Sequence, residues 1–191
     1  MTAKLGEIQA YVFDAYGTLF DFASATRGCR DSLGDDLDKL TVLWRDKQLQ
    51  YTWLRAIRGK HADFWQVTGD ALDFALETLK LDRLGLRDRL MELYLTLDAF
   101  PEVPDVLRRL KAAGIRTAIL SNGSPVMLDS AVKHARLDGL LDCVLSVEEV
   151  GVTSRISGSI SSRSTGWAFQ PRRFRFSPQT RGTPMRRHSL E

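Results

Sequence analysis

From Ile8 the chain sets a short apolar run, Ala10, Tyr11, Val12 and Phe13, against Asp14 and the glycine at 17. Apolar, β-branched and aromatic residues in a run this short read as a buried strand meeting a loop, with Asp14 at the strand's C-terminal end. From about residue 21 the texture turns helical. Val42, Leu49, Trp53 and Ile57 recur at spacings of 7, 4 and 4, and Leu40, Leu43, Trp44, Tyr51 and Leu54 widen the apolar surface to more than one side. Two further helical patterns follow, Ala71, Leu72, Ala75, Leu76, Leu79 and then Leu86, Leu90, Leu93, Tyr94, Leu97.

After Pro101 the pattern alternates. A helix runs from about Pro104 to Ala113 and stops at Gly114, a strand covers Arg116 to Leu120, and Ser121-Asn122-Gly123 forms a turn before Pro125, a residue suited to a first helical turn. A helix over about 125–136 and a strand at Cys143, Val144, Leu145 complete the series. A strand, a helical insertion, then helix-strand-helix-strand predicts an α/β fold with a parallel sheet, whose ligands bind beyond the strands' C-terminal ends. Asp14 and Ser121 both fall at such ends. The expected division is a core of residues 1–20 and 99–152, an inserted helical block of 21–98, and a tail of 153–191.

That tail breaks every period. It is rich in Ser, Arg and Gly and reads as disordered or low-complexity. Composition sharpens the contrast: the net charge of +3 conceals eight arginines and only Glu191 as an acid after Gly151, against 19 basic and 23 acidic residues before it. The basic balance therefore belongs to the tail. Its irregularly spaced arginines follow no nucleic-acid-binding fold, so no nucleic-acid partner is expected. The 43% hydrophobic content is ample for a buried core, no run approaches the roughly 18–20 apolar residues of a membrane span, and no signal segment is evident, which makes the cytoplasm the default. Cys29 and Cys143 form no ligand pattern and read as buried or incidental thiols. His61 and His134 have no partner at ligand spacing and read as surface or cap histidines; Glu148-Glu149 reads as a solvated loop or helix start.

The strand followed by Asp14-Ala15-Tyr16-Gly17-Thr18-Leu19-Phe20 resembles the first motif of the HAD superfamily, and most specifically that of the (S)-2-haloacid dehalogenases. The resemblance implies a Rossmann-like HAD core with a helical cap, and a covalent nucleophile at Asp14. A carboxylate attacks carbon only when partly desolvated and aligned with its electrophile, which a strand end beneath a cap supplies. The alternative is an aspartate that only caps the turn before Gly17. Phosphatases of the superfamily carry a second Asp two positions on, as general acid; here that position is Tyr16. An alkoxide leaving group would lack its proton donor, whereas a halide needs none.

Residues 43–55, LWRDKQLQYTWLR, resemble the dehalogenase cap helix, whose arginine receives the departing halide; this maps onto Arg45. A guanidinium is always protonated and weakly hydrated, so it stabilises an anion in a dry pocket. Leu49 and Phe64 match pocket-lining positions beside Tyr16 and Ala15. LSNGSP, residues 120–125, resembles the second motif: Ser121 and the following N–H groups would hold the substrate carboxylate, with Asn122 beside the halide and Thr18 in support near the nucleophile. Read without the resemblance, Arg45 is a surface arginine and Ser-Asn-Gly only a turn. The implied reaction is hydrolysis of short (S)-2-haloalkanoic acids to (R)-2-hydroxy acids through an aspartyl ester, on a small-molecule substrate, with no metal or other cofactor. Family members are often dimeric through the cap, so a homodimer is a candidate state. A HAD-type phosphatase and a non-catalytic remnant are the alternatives.

The resemblance runs from Ile8 to Val152. Family members continue from LSVEEVGV into Tyr-Lys-Pro and later reach Ser-Asn-Ala-Trp-Asp, and both segments are missing. One T lost after the Val152 codon accounts for this. With suitable third bases, Thr153-Ser154-Arg155 restores to Tyr-Lys-Pro, and Gln179 to Thr183 restores to Ser-Asn-Ala-Trp-Asp in the same shifted frame. The expectation is a core whose C-terminal part is incomplete and a chain with little or no activity as written.

Overall fold

The computed structural model describes residues 8–59 and 62–150. Three parallel strands form its sheet in the order β1 (Ala10–Phe13), β2 (Arg116–Ser121), β3 (Cys143–Ser146). Parallel neighbours need crossovers. The first is the long helical excursion between β1 and β2; the second is a helix, Pro125–His134, between β2 and β3. The register pairs Phe13 with Ile119 and Ser121 with Ser146, so the C-terminal ends of all three strands lie along one edge. Asp14 follows Phe13 at that edge.

The excursion contains α1 (Ala23–Arg27), α2 (Arg30–Leu33), a single 3₁₀ turn, α3 (Leu37–Ile57), α4 (Phe64–Leu79) and α5 (Leu86–Leu95). Its outgoing and returning chains run side by side: Phe20 bridges Ala99, the Asp21 N–H donates to Asp98 O at 2.9 Å, and the Phe100 N–H donates to Leu19 O at 3.0 Å. α6 (Val103–Ala112) returns to pack on β2, α7 (Pro125–His134) packs on β3, and the short α8 (Val147–Val150) follows β3 directly. Pro residues open α6 and α7, where a missing N–H costs nothing, and the α7 N-terminus is capped by Ser124 Oγ. The core is continuous from Ile119, Leu107 and Leu128 on the sheet side to Phe20, Leu72 and Leu90 among the helices.

Two expectations change. The α3 stripe of Val42, Trp53 and Ile57 points outward, with Ile57 82% exposed, and Leu54 is exposed as well. The buried line is instead Leu40, Trp44, Gln48, four residues apart, because α4 lies along that face. β1 is half-buried rather than buried, since it pairs on one side only among the described residues. The predicted tail, 153–191, and His61 lie outside the described residues. Among the described residues no helix is long and apolar enough to cross a membrane, and no group of three or more His, Cys, Asp or Glu side chains is gathered as metal ligands would be. Both cysteines are free thiols, and burial pushes each of them up from its ordinary range.

Candidate active site

The loop after β1 turns tightly on one carbonyl. The N–H groups of Thr18, Leu19 and Phe20 all donate to Ala15 O, at 3.3, 2.9 and 2.9 Å. The reversal requires a left-handed residue, and Gly17 takes it with φ of 86°. Ala15 and Tyr16 are thereby buried beneath the helices, while Asp14 remains at the strand end.

Tyr16 is the hub. Its ring centroid lies 5.3 Å from that of Phe64 and stacks 5.5 Å from Tyr94, with Phe20 tilted beneath at 6.4 Å. Its hydroxyl has no hydrogen-bond partner among the described residues. Burial pushes this phenol far above its ordinary range, and the charges of Tyr94 and Asp14 push the same way while Arg45 opposes them. Such a phenol is a very weak acid and cannot stand in for a second carboxyl group. The closest approach is to the second motif: a Cβ placed on Gly123 would lie 2.7 Å from Tyr16 Cε2 and 2.9 Å from its hydroxyl, so only glycine lets the two loops meet.

Arg45 comes from α3 and crosses to the same loop. Its Nη2 donates to the Tyr16 carbonyl at 2.8 Å, its Nη1 donates to Gln48 Oε1 at 2.7 Å, and its Cζ sits 5.1 Å over the Phe22 ring. The guanidinium is thus brought within reach of the residues flanking Asp14, with N–H donors to spare. Phe64, the first residue of α4, packs on Tyr16; Leu49 is half-buried on α3. Ser121 is buried and its Oγ accepts weakly from the Gly123 N–H at 3.4 Å, while Asn122 is exposed beside it.

Shielding of Asp14 is not supplied by the described residues: its carboxylate is exposed and makes no hydrogen bond among them. Thr18 is likewise exposed, and only its backbone N–H is engaged, because Gly17 turns residues 17–20 around Ala15 O rather than around the carboxylate. Glu148 and Glu149 stand in the first turn of α8, the helix start that was one of the two expectations, and the solvated-loop alternative is corrected for Glu148. Its Oε1 accepts from the Phe64 N–H at 2.8 Å, capping α4 together with Asp63, while its own N–H donates to Ser146 Oγ at 3.2 Å. Ser146 in turn donates to Gly123 O at 2.7 Å. One hydroxyl and one carboxylate therefore tie β3 to both the second-motif loop and the helical block. Sequence reading also missed Gln48, Thr68 and Tyr94, which lie buried beside Arg45. The signal was present: Gln48 and Thr68 interrupt otherwise apolar helix faces with polar residues.

The family model for haloacid dehalogenase-like hydrolases matches residues 8–159. Among relatives, the (S)-2-haloacid dehalogenase 4A of Burkholderia cepacia is 47% identical over 146 residues, covering 76% of this chain and 63% of the relative. A solved dehalogenase structure is 47% identical with a TM-score of 0.73, covering 76% of this chain and 65% of that one. The L-2-haloacid dehalogenase of Xanthobacter autotrophicus, solved with chloropropionic acid covalently bound, is 42% identical with a TM-score of 0.67, covering 75% and 58%. The chain spans a little under two thirds of the length of these relatives. With a parallel sheet, an aspartate at the end of its first strand and a family match over most of its length, the chain belongs to the haloacid dehalogenase-like hydrolases.

Proposed function

We propose that this sequence encodes a hydrolytic (S)-2-haloacid dehalogenase fold in which Asp14 is the nucleophile and Arg45 receives the halide. The observation that carries the reading is the Arg45–Tyr16 contact: a fixed cation from the helical block reaches the loop beginning at Asp14, across an apolar wall of Tyr16 and Phe64. Asp14 attacks C2 of the substrate, the carbon–halogen bond breaks with its electron pair leaving as halide, and C2 is inverted. Water then attacks the ester carbonyl, giving the (R)-2-hydroxy acid, a proton and the free Asp14 carboxylate. In this reading residues 21–98 are the cap, residues 1–20 and 99–152 the core, Leu49 lines the pocket with Ala15, Ser121 and the N–H groups after it take the substrate carboxylate, Asn122 flanks the halide, and Thr18 supports the nucleophile's loop. The covalent adduct of the Xanthobacter autotrophicus relative supports a covalent route. A cytoplasmic location and a homodimer accompany it.

The exposure of Asp14 in the described residues accords with a site whose closing segments come from beyond Val152, which we read as carried in a shifted frame. The chain as written then releases little or no chloride from (S)-2-chloropropionate, while a chain rebuilt from Thr153 in the shifted frame releases it at a rate near that of an intact relative. Chloride release by the written chain at that rate overturns the frame reading; silence from the rebuilt chain overturns the dehalogenase reading. Magnesium-dependent release of phosphate from a generic ester would favour a phosphatase instead.

A further inference from the structure

Gln48 is 1% exposed, on the buried line of α3, where an apolar residue would pack without needing partners. Its amide is fully engaged. Nε2 donates to Thr68 Oγ1 at 2.7 Å and to the Tyr94 hydroxyl at 2.9 Å, and Oε1 accepts from Arg45 Nη1 at 2.7 Å, with the Tyr94 hydroxyl 3.2 Å away.

The direction of this amide is dictated from outside. Thr68 Oγ1 lies 2.6 Å from Phe64 O, a carbonyl that can only accept, so the single hydroxyl proton of Thr68 is spent there. The Thr68 oxygen must then accept from Gln48, which turns the amide nitrogen toward α4 and the amide oxygen toward Arg45. A flipped amide would face an NH₂ group to a guanidinium that has only donors, and an oxygen to a hydroxyl with no proton left. The turn of α4 that carries Thr68 is held in turn, since Trp44 Nε1 donates to Thr68 O at 2.9 Å. Tyr94 has its own reason to stay neutral, its phenol being pushed up to about 12 chiefly by burial.

We propose that Gln48 is a positioning residue that aims the Arg45 guanidinium at the Asp14 loop, its amide polarity being set by Thr68 and Phe64 O. The inference rests on the reading of Arg45 as an anion receiver, and it makes the buried polar cluster a device for orientation. The same chain of bonds begins at Phe64, so it sets the apolar wall and the cation by one arrangement.

The test is nuclear magnetic resonance of the full chain labelled with ¹⁵N-arginine, with the Arg45 guanidinium signals assigned through Arg45→Lys. Two carbonyl-type acceptors gripping Nη1 and Nη2 should slow guanidinium rotation and keep their signals separate. In Gln48→Met they should average to one, in Gln48→Glu, which keeps the acceptor, they should separate again, and in Thr68→Val, with Gln48 present, separation should weaken. Separate Arg45 signals in a folded Gln48→Met chain overturn the proposal. Should that variant not fold, unchanged separation in the isosteric Thr68→Val chain overturns it, as does averaging in the unsubstituted chain. Titration with sodium bromide reads the underlying function on the same signals: a saturable shift is expected, about tenfold weaker in Gln48→Met, the scale of one lost hydrogen bond to a charged group. A chain whose Arg45 signals are separate but ignore bromide retains the positioning role and loses the anion-receiver reading.

Discussion

Gly123→Ala is a one-carbon change at the point where the first and second motifs meet. The added Cβ would lie 2.7 Å from Tyr16 Cε2, 2.9 Å from the Tyr16 hydroxyl and 3.0 Å from Leu128 Cδ2. Carbon pairs prefer about 3.5–4.0 Å, so some part of the contact must retreat by most of an ångström. Tyr16 has nowhere to go, because Phe64, Tyr94 and Phe20 surround its ring. Leu128 is fully buried and equally confined. Overpacking of this kind costs roughly 1–3 kcal/mol, and the upper half of that range applies where two rigid neighbours are hit at once. Urea unfolding followed by near-ultraviolet circular dichroism measures it. A second substitution, Tyr16→Leu, removes the ring that is struck, so the double variant should recover at least about 1 kcal/mol relative to the sum of the singles. A loss below about 0.5 kcal/mol in Gly123→Ala, or strict additivity in the pair, would refute the steric argument.

Other perturbations separate the site's parts. Glu148→Ala removes the carboxylate from the Phe64 N–H and should cost about 1 kcal/mol in urea unfolding, with Glu148→Gln recovering most of it because an amide oxygen can still accept. Arg45→Met leaves Gln48 Oε1 with only the longer contact from the Tyr94 hydroxyl in a buried setting and should cost about 1–3 kcal/mol by the same measurement. Stability should fall as pH rises: Tyr94 is raised from its ordinary value of 10 to about 12, so the folded chain holds a proton that the unfolded chain has released. That contribution is full below pH 10 and is lost as pH rises towards 12; Tyr94→Phe should make the decline shallower without abolishing it, because burial raises the Tyr16 phenol as well. Asp14→Asn should leave the melting temperature unchanged, the side chain being exposed and without hydrogen bonds among the described residues, yet reduce halide release by the rebuilt chain to background.

Element order and type were legible because each segment agrees with itself. The run ending at Phe13, the Gly114 stop and the Ser124-Pro125 start each combine an apolar period with a turn or capping signal, and β1, α6, β2 and α7 lie where these indicate. What was not legible is how amphipathic faces are shared. α3 carries apolar residues on two sides, and periodicity alone favours the stripe of Val42, Trp53 and Ile57, whereas packing against α4 selects the side that contains Gln48. Gln48 and Thr68 stand out singly as polar residues on apolar helix faces, but their partnership does not: Gln48, Thr68 and Tyr94 are 20 to 46 residues apart, and only the fold brings them into hydrogen-bonding distance. Asp14, Tyr16 and Arg45 could be named in advance through local motifs. That the Arg45 guanidinium would grip the Tyr16 carbonyl could not, since a backbone acceptor leaves no trace in side-chain identity.

The proposed role of Asp14 requires a covalent bond between its carboxylate and the substrate. Its direct test is a single turnover of (S)-2-chloropropionate in ¹⁸O-water, with the rebuilt chain in excess and the peptide bearing residue 14 analysed by mass spectrometry. One solvent oxygen should enter the Asp14 carboxylate while the product hydroxyl carries none. Label in the product with an unlabelled Asp14 would mean that water attacks the substrate directly, and the assignment of the nucleophile would be wrong.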